Sequence, residues 1–315
     1  VKVKVELKAK ARVKVKVELK AKARVKVKVE LKAKARARVK VKARVRRRFQ
    51  FRRARRPDRF TLDGSMRATA TPFTMAVVLS RMQVEFDFSE QVVVVTGASG
   101  ALGSAVVDAF RDAGSTVAAV DVREPSHEDA LLDPDAGTDF YQTDLTDESE
   151  VEALFEQVVE DHGRVDALCN VAGTWRGGDD LADTDVDEYE FLFDVNLKSM
   201  FLASKHAMPH LRETEGAIVS ISSRSSLEGG EGDGPYRASK AGVRTLTETI
   251  AEEELGTVRA NAVMPSVLDT PMNRDMMTPS DDWVDPADVA SVICFLCSDA
   301  ASVTSGAAVP VYGEA

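Results

Sequence analysis

Val92-Val-Val-Val-Thr-Gly-Ala-Ser-Gly-Ala-Leu-Gly103 decides the fold of this chain. Val92–Val95 is a short β-branched run bounded by Gly97, the signature of a strand. A turn of small residues follows, Thr96–Gly103, and Ala101–Ala113 has a helical pattern that stops at Gly114. A strand that runs through such a turn into a helix collects unpaired backbone N–H groups and the positive end of a helix dipole at one point, where a pyrophosphate can rest. The glycines are spaced G-x-x-G-x-x-G rather than G-x-G-x-x-G, so the turn by itself leaves a purely structural role open. Its candidate ligand contacts are Gly97, Ser99, Gly100, Leu102 and Gly103.

Working outward, strands and helices alternate. Thr116–Val122 reads as a second strand, Val151–His162 as a helix and Val165–Cys169 as a strand. Asp187–Leu211 contains a long helix, Ala217–Ile221 is a strand, and Tyr236–Leu255 is a helix. Val258–Val263, Pro286–Ser298 and Ala307–Val311 continue as strand, helix and strand. This order predicts an α/β fold, a parallel sheet with helices on both faces, whose ligands bind at the carboxyl ends of the strands. Asp121 ends the second strand, twenty-four residues after Gly97. A carboxylate there accepts hydrogen bonds from both adenosine ribose hydroxyls and repels a 2′-phosphate, so NAD is expected over NADP. Arg123 is the counter-indication, because a guanidinium two residues on can meet that phosphate.

Tyr236-Arg-Ala-Ser-Lys240 reads Y-x-x-x-K, with Ser223 thirteen residues before the tyrosine. A spacing of four puts phenol and ammonium on one helix face. The expectation is that the lysine lowers the phenol pKa and makes it a proton donor and acceptor near neutral pH, with the serine hydroxyl holding a substrate oxygen. An isolated Y-x-x-x-K is more often a surface tyrosine and a solvated lysine, and the company it keeps decides.

In that company the chain resembles the short-chain dehydrogenase/reductase family, single-domain type, over about residues 83–313. Asn170-Val-Ala-Gly173 is similar to the family's N-N-A-G segment, with Val171 at the second position. Asn196 matches the helix asparagine of the catalytic tetrad, and Ile218–Ser223 resembles the I-V-N-I-S-S strand. Asp144-Leu145 resembles the adenine-contacting pair, and Pro265–Thr270 the P-G-x-x-x-T nicotinamide segment, with Ser266 in place of glycine. The glycine spacing also departs from the T-G-x-x-x-G-x-G of single-domain members. The resemblance implies a Rossmann-like doubly wound sheet and hydride transfer between nicotinamide and a secondary alcohol or ketone. Tyr236 would be the general acid and base, Lys240 would hold the nicotinamide ribose, Ser223 the substrate oxygen, and Asn196 a water that links Lys240 to solvent. It adds Asp144, Leu145, Asn170, Ala172, Gly173, Pro265, Leu268 and Thr270 to the cofactor contacts. It also implies a homotetramer or homodimer joined through the helices of Asn196 and Tyr236. A small-molecule substrate would be chosen by Thr174–Gly177, Arg224–Gly234 and Pro271–Trp283. In these segments Arg176 and Arg224 either meet an anionic substrate or pair with neighbouring carboxylates. Met272, Met276 and Met277 either line a lid or pack it.

Composition divides the chain in two. Residues 1–81 hold 29 Lys+Arg and 5 Asp+Glu, a net of +24; residues 82–315 hold 13 and 46, a net of -33. The basic part opens with three perfect copies of VKVKVELKAKAR and decays into arginine runs. Its expected origin is translation of a repetitive stretch ahead of a later start at Met66, Met75 or Met82. A nucleic-acid or membrane-surface arm and a targeting peptide are the alternatives, though no apolar h-region follows the charges. The acidic part is the expected catalytic domain. Its self-repulsion is relieved by salt, which suggests a salt-adapted cytoplasmic enzyme; unfolding followed against potassium chloride measures it.

No metal site is expected. Cys294-Phe-Leu-Cys297 lacks a second cysteine pair and reads as core, and His206 and His210 share a helix face without the glutamate of H-E-x-x-H. Calcium is not expected at Glu228–Gly234, whose carboxylates lack regular ligand spacing. The closest rival enzyme is an NADPH-dependent 3-oxoacyl-[acyl-carrier-protein] reductase, which Asp121 disfavours. The rival of another class is a nucleic-acid-binding protein resting on the basic arm.

Overall fold

The computed structural model of the protein describes residues 86–133 and 137–313. The basic repeat, and with it the nucleic-acid reading, lies outside the described residues. Seven parallel strands make one sheet in the order β3-β2-β1-β4-β5-β6-β7. They are β1 (Val92–Thr96), β2 (Thr116–Asp121), β3 (Asp139–Gln142), β4 (Ala167–Asn170), β5 (Ala217–Ile221), β6 (Arg259–Pro265) and β7 (Ala308–Val311). The chain runs outward from β1 to β3 and then returns to the other side of β1. β1 pairs in register with both β2 and β4, Val93 facing Val117 on one side and Ala167 on the other. That reversal is the topological switch point, and it opens the crevice in which such sheets bind ligands.

The helices are α1 (Ala101–Asp112), α2 (Glu148–His162), α3 (Val186–Phe193), α4 (Ser199–Thr214), α5 (Gly234–Glu253), α6 (Pro271–Met276) and α7 (Pro286–Cys297). Strand residues alternate between two cores. Val93, Val95, Ala119, Cys169 and Val219 join Val106, Phe110, Val289 and Ile293 on the face covered by α1 and α7. Val92, Val94, Val120, Leu168 and Ile218 join Leu154, Phe155, Leu202 and Leu211 on the face covered by α2 and α4. Each fully buried Val, Leu, Ile or Phe contributes about 1.5–3 kcal/mol, which explains why strands read as unbroken apolar runs instead of alternating ones.

Helix starts follow local chemistry. Asp147 caps α2 by accepting from the N–H groups of Ser149 and Glu150, Asp185 caps α3, Thr270 caps α6 and Asp285 caps α7. Residues 194–198 depart from the predicted long helix. There α3 passes through a π-helical segment, Asp194–Lys198, before continuing as α4. Such one-turn bulges concentrate at functional sites, and this one carries Asn196. The cysteines take the core reading: Cys169, Cys294 and Cys297 are free and buried. Burial raises the Cys294 thiol to about 12 and pushes Cys169 up, so both stay protonated and unreactive.

Candidate active site

The carboxyl ends of β1, β2, β4, β5 and β6 share one edge of the sheet, and the predicted residues gather there. Gly97 adopts φ +67, and a Cβ on it would stand 2.7 Å from Ala172 Cα, so only glycine lets the turn pass β4. The turn is tied to the segment after β4 by Thr96, whose hydroxyl oxygen accepts from the N–H groups of Val171 (3.0 Å) and Ala172 (3.1 Å). α1 begins at Gly100 with no side-chain cap and no acidic residue in its first turn. Its orphan N–H groups and dipole are therefore unspent at the switch point, whereas α2, α3, α6 and α7 each spend theirs on a cap; α5 also starts without one.

Asp121, 6% exposed, stands beside this turn. Its Oδ2 accepts from Ser99 N–H at 3.0 Å and its Oδ1 from Arg123 N–H at 3.0 Å. A carboxylate has about four acceptor directions, so roughly two remain for ribose hydroxyls. Arg123 turns its guanidinium towards the same carboxylate, Nε lying 3.9 Å from Oδ1. A glycine turn, an uncapped helix start and an acceptor at the end of β2 together fit a dinucleotide.

Two predicted contacts face inward. Ser99 is fully buried, its hydroxyl donating to Arg123 O at 2.8 Å and its carbonyl accepting from Leu131 N–H at 2.8 Å. All its polar groups are committed, so it positions Asp121. The Asn170 side chain donates to Ser204 (3.0 Å) and Ser220 (3.2 Å) between sheet and α4. Leu145 is buried in the α2-side core, while Asp144 is exposed and binds the N–H and hydroxyl of Thr146 through Oδ1. On the far side of the crevice, β6 ends at Pro265 and the segment to Thr270 is fastened at both ends. Leu268 bridges Val284, Thr270 caps α6, and Ser266 donates its hydroxyl to Tyr312 O at 3.1 Å. The serine that replaces the family glycine thus anchors this segment to the end of β7.

The four predicted catalytic residues converge. A Cβ on Gly173 would lie 2.8 Å from both Asn196 Oδ1 and Lys240 Nζ, which places those two side chains together beside the segment after β4. Asn196, 1% exposed, accepts from Thr174 N–H at 2.8 Å and donates to Thr174 O at 3.0 Å and Ser239 Oγ at 3.1 Å. Ser239 in turn donates to Tyr236 O at 2.8 Å, so one hydroxyl joins the π segment to the helix of the tyrosine. The sequence names Thr174 only as the start of a substrate segment and does not single out Ser239. The available signal was that Ser239 lies three residues after Tyr236, on the same helix face.

The charge states differ from the sequence expectation. Burial raises the Tyr236 phenol, the Ser223 hydroxyl bonded to it pulls the other way, and Lys240 is not among the groups that move it. Lys240 instead donates to Ile221 O at 2.9 Å, and burial lowers it from 10.5 to about 8. The lysine, not the phenol, is the group brought towards neutrality. Because its folded pKa is depressed, the unfolded chain holds the proton more tightly. Lys240 therefore penalises the fold below pH 8, and the penalty is relieved as pH rises from 8 towards 10.5. Relative to Lys240→Met, the wild-type protein should gain roughly 3 kcal/mol across that window, read by urea unfolding at several pH values. A difference that stays flat with pH would contradict this burial.

No group of three or more metal-ligating side chains occurs among the described residues, and His206 faces Glu148 at 3.4 Å. None of the described helices is long and apolar enough to cross a membrane.

A protein-family model described as enoyl-(acyl carrier protein) reductase matches residues 97–313, more than half of the chain. The chain belongs to the short-chain dehydrogenase/reductase family. Among its family relatives is a 3-oxoacyl-[acyl-carrier-protein] reductase of Thermotoga maritima, 32% identical over 239 residues, 71% of this chain and 96% of that protein. A meso-2,3-butanediol dehydrogenase of Serratia marcescens is 34% identical over 240 residues, 72% of this chain and 95% of that one. The solved aldohexose dehydrogenase of Thermoplasma acidophilum is 29% identical with a TM-score of 0.65, covering 72% of this chain and 94% of that one. As a short-chain dehydrogenase/reductase, the protein is an oxidoreductase of alcohols or ketones and uses a nicotinamide cofactor.

Proposed function

We propose that the protein is an NAD-dependent dehydrogenase that transfers hydride between nicotinamide and a secondary alcohol or ketone, with Tyr236 as general acid and base. The observation that carries this reading is the convergence of Ser223, Tyr236, Lys240 and Asn196 at the strand edge that also holds the uncapped helix start and Asp121. Bound nicotinamide supplies the hydride acceptor or donor. Ser223 orients the substrate oxygen. Tyr236, kept protonated at neutral pH by burial, donates to a carbonyl oxygen in reduction and recovers the proton in oxidation. Lys240, close to neutrality, exchanges protons through the polar group formed by Asn196, Thr174 and Ser239.

Asp121 supports NAD, because a 2′-phosphate would meet a fixed carboxylate. The second reading, an NADPH-dependent 3-oxoacyl-[acyl-carrier-protein] reductase, is favoured by the name of the Thermotoga maritima relative and by Arg123 beside Asp121. Fluorescence titration separates them. NADH is expected to bind at least about ten-fold more tightly than NADPH, a difference of ~1.4 kcal/mol. Tighter NADPH binding together with turnover of a 3-oxoacyl thioester would replace the first reading by the second. A cytoplasmic homo-oligomer joined through the helices of Asn196 and Tyr236 accompanies the proposal; Phe201, 49% exposed on α4, is an apolar side chain available to such an interface.

A further inference from the structure

The catalytic part of this chain carries 46 acidic and 13 basic residues, so a positive side chain rarely lacks a carboxylate nearby. Nine of the thirteen are paired in this way: Arg111, Arg123, Arg164, Lys198, Lys205, Arg212, Arg237, Arg244 and Arg274 each meet an Asp or Glu. Two more are taken up by main-chain carbonyls. Lys240 donates to Ile221, and Arg259 donates to Leu296, Cys297, Ser298 and Ala301 at the end of α7. That leaves Arg176 and Arg224, which among the described residues meet neither an acid nor a main-chain carbonyl. Each lies on an aromatic face: Arg176 Cζ is 3.5 Å from the Phe191 ring centroid, and Arg224 Cζ is 5.0 Å from that of Tyr312.

Both belong to segments that border the site, and Arg224 directly follows Ser223. Consecutive Cα atoms are about 3.8 Å apart, so the guanidinium and the serine hydroxyl start from neighbouring points of one rigid turn. That turn is fixed because Ser225 N–H donates to Ser223 Oγ at 3.1 Å and Ser226 N–H to Ser223 O at 3.0 Å. Tyr312, the ring under Arg224, belongs to the residue whose carbonyl accepts from Ser266 on the segment after β6. Arg224 therefore bridges the serine side and the nicotinamide side of the crevice. A guanidinium resting on a ring keeps its N–H fork free at the edge, the geometry that takes both oxygens of a carboxylate. In a domain with a net charge of -33, such a local cation offsets the repulsion that an anionic substrate meets.

We propose that Arg224 is a specificity-determining residue that binds the carboxylate of the substrate, and that the substrate is a short hydroxy acid or its oxo acid. The proposal rests on the dehydrogenase reading above and narrows it. In oxidation Tyr236 first releases its phenolic proton to solvent; the carbinol carbon then gives up a hydride to NAD and its hydroxyl proton goes to the Tyr236 phenolate, leaving a carbonyl, NADH and the phenol, with the carboxylate unchanged.

The test compares short 2- and 3-hydroxy acids with their methyl esters as substrates, using the full chain with NAD. The wild-type enzyme should prefer acid over ester by roughly ten- to a hundred-fold in kcat/KM, the worth of one charge-assisted contact. Arg224→Met should abolish that preference by raising KM for the acid at least about ten-fold more than KM for the ester, and Arg224→Lys should restore part of it. Equal use of acids and esters by the wild type overturns the proposal. So does an equal loss for both in Arg224→Met, or a preference that survives in Arg224→Met and disappears in Arg176→Met. Absence of turnover for every alcohol and ketone with either cofactor defeats instead the dehydrogenase reading on which the proposal stands.

Discussion

Replacing Tyr236 with phenylalanine is expected to lower turnover by roughly a thousand-fold or more while NADH binding changes by less than about three-fold. The ring is retained, so the packing of α5 against the segment after Ser223 is kept and only the phenolic proton is lost. No other group is placed to replace it. The Ser223 hydroxyl is an aliphatic alcohol, far less acidic than a phenol, and the Lys240 ammonium is turned to Ile221 O at 2.9 Å. Stopped-flow single-turnover measurements separate the chemical step from binding. Turnover within ten-fold of wild type would remove Tyr236 from its role and with it the proposed mechanism.

The second large effect lies in the turn. A Cβ on Gly103 would stand 2.6 Å from Gly97 C, 2.8 Å from Ala98 Cα and closer still to Gly97 O. All three are backbone atoms of the loop that must receive the pyrophosphate, so none can rotate away. Gly103→Ala is therefore expected to cost roughly 3 kcal/mol of stability and to weaken NADH binding by at least about a hundred-fold. Gly100→Ala is the internal control for folding. Its added Cβ would lie 3.4 Å from Gly97 O, an ordinary contact, and the helix start keeps its backbone conformation. Thermal unfolding of the two variants, followed by NADH titration of each, reads both effects. Equal stability of Gly103→Ala and wild type would mean that the turn is looser than this packing implies.

Much of this architecture was legible in the residues. Val92–Val95 is a continuous apolar run and Ala217–Ile221 is broken only by Ser220, because both faces of these strands are buried, and helices α1, α2, α5 and α7 keep their apolar spacing. β3 was not assigned bounds from the sequence, for a physical reason. Asp139–Gln142 is a sheet-edge strand that is exposed at both ends, so neither an apolar run nor an alternation marks it. α6 is likewise not assigned from the sequence, which reads Pro271–Trp283 as a substrate segment: none of its residues is buried, so no apolar periodicity marks it. The π segment around Asn196 is invisible in sequence because it depends on how α3 and α4 lie against α5 and the loop at Thr174.

The sequence alone determined the glycine turn, the acid at the end of the second strand and the Y-x-x-x-K pair, because each depends on spacing along one element. Only the tertiary structure decided their neighbours and which member of the Y-x-x-x-K pair is drawn towards neutrality. The lysine expected to acidify the tyrosine is instead buried against Ile221 and drawn to about 8 itself, because desolvation depends on what closes over a side chain rather than on what stands four residues away. Packing likewise turned Ser99 and Asn170 inward and left Arg176 and Arg224 on aromatic faces in a domain crowded with acids.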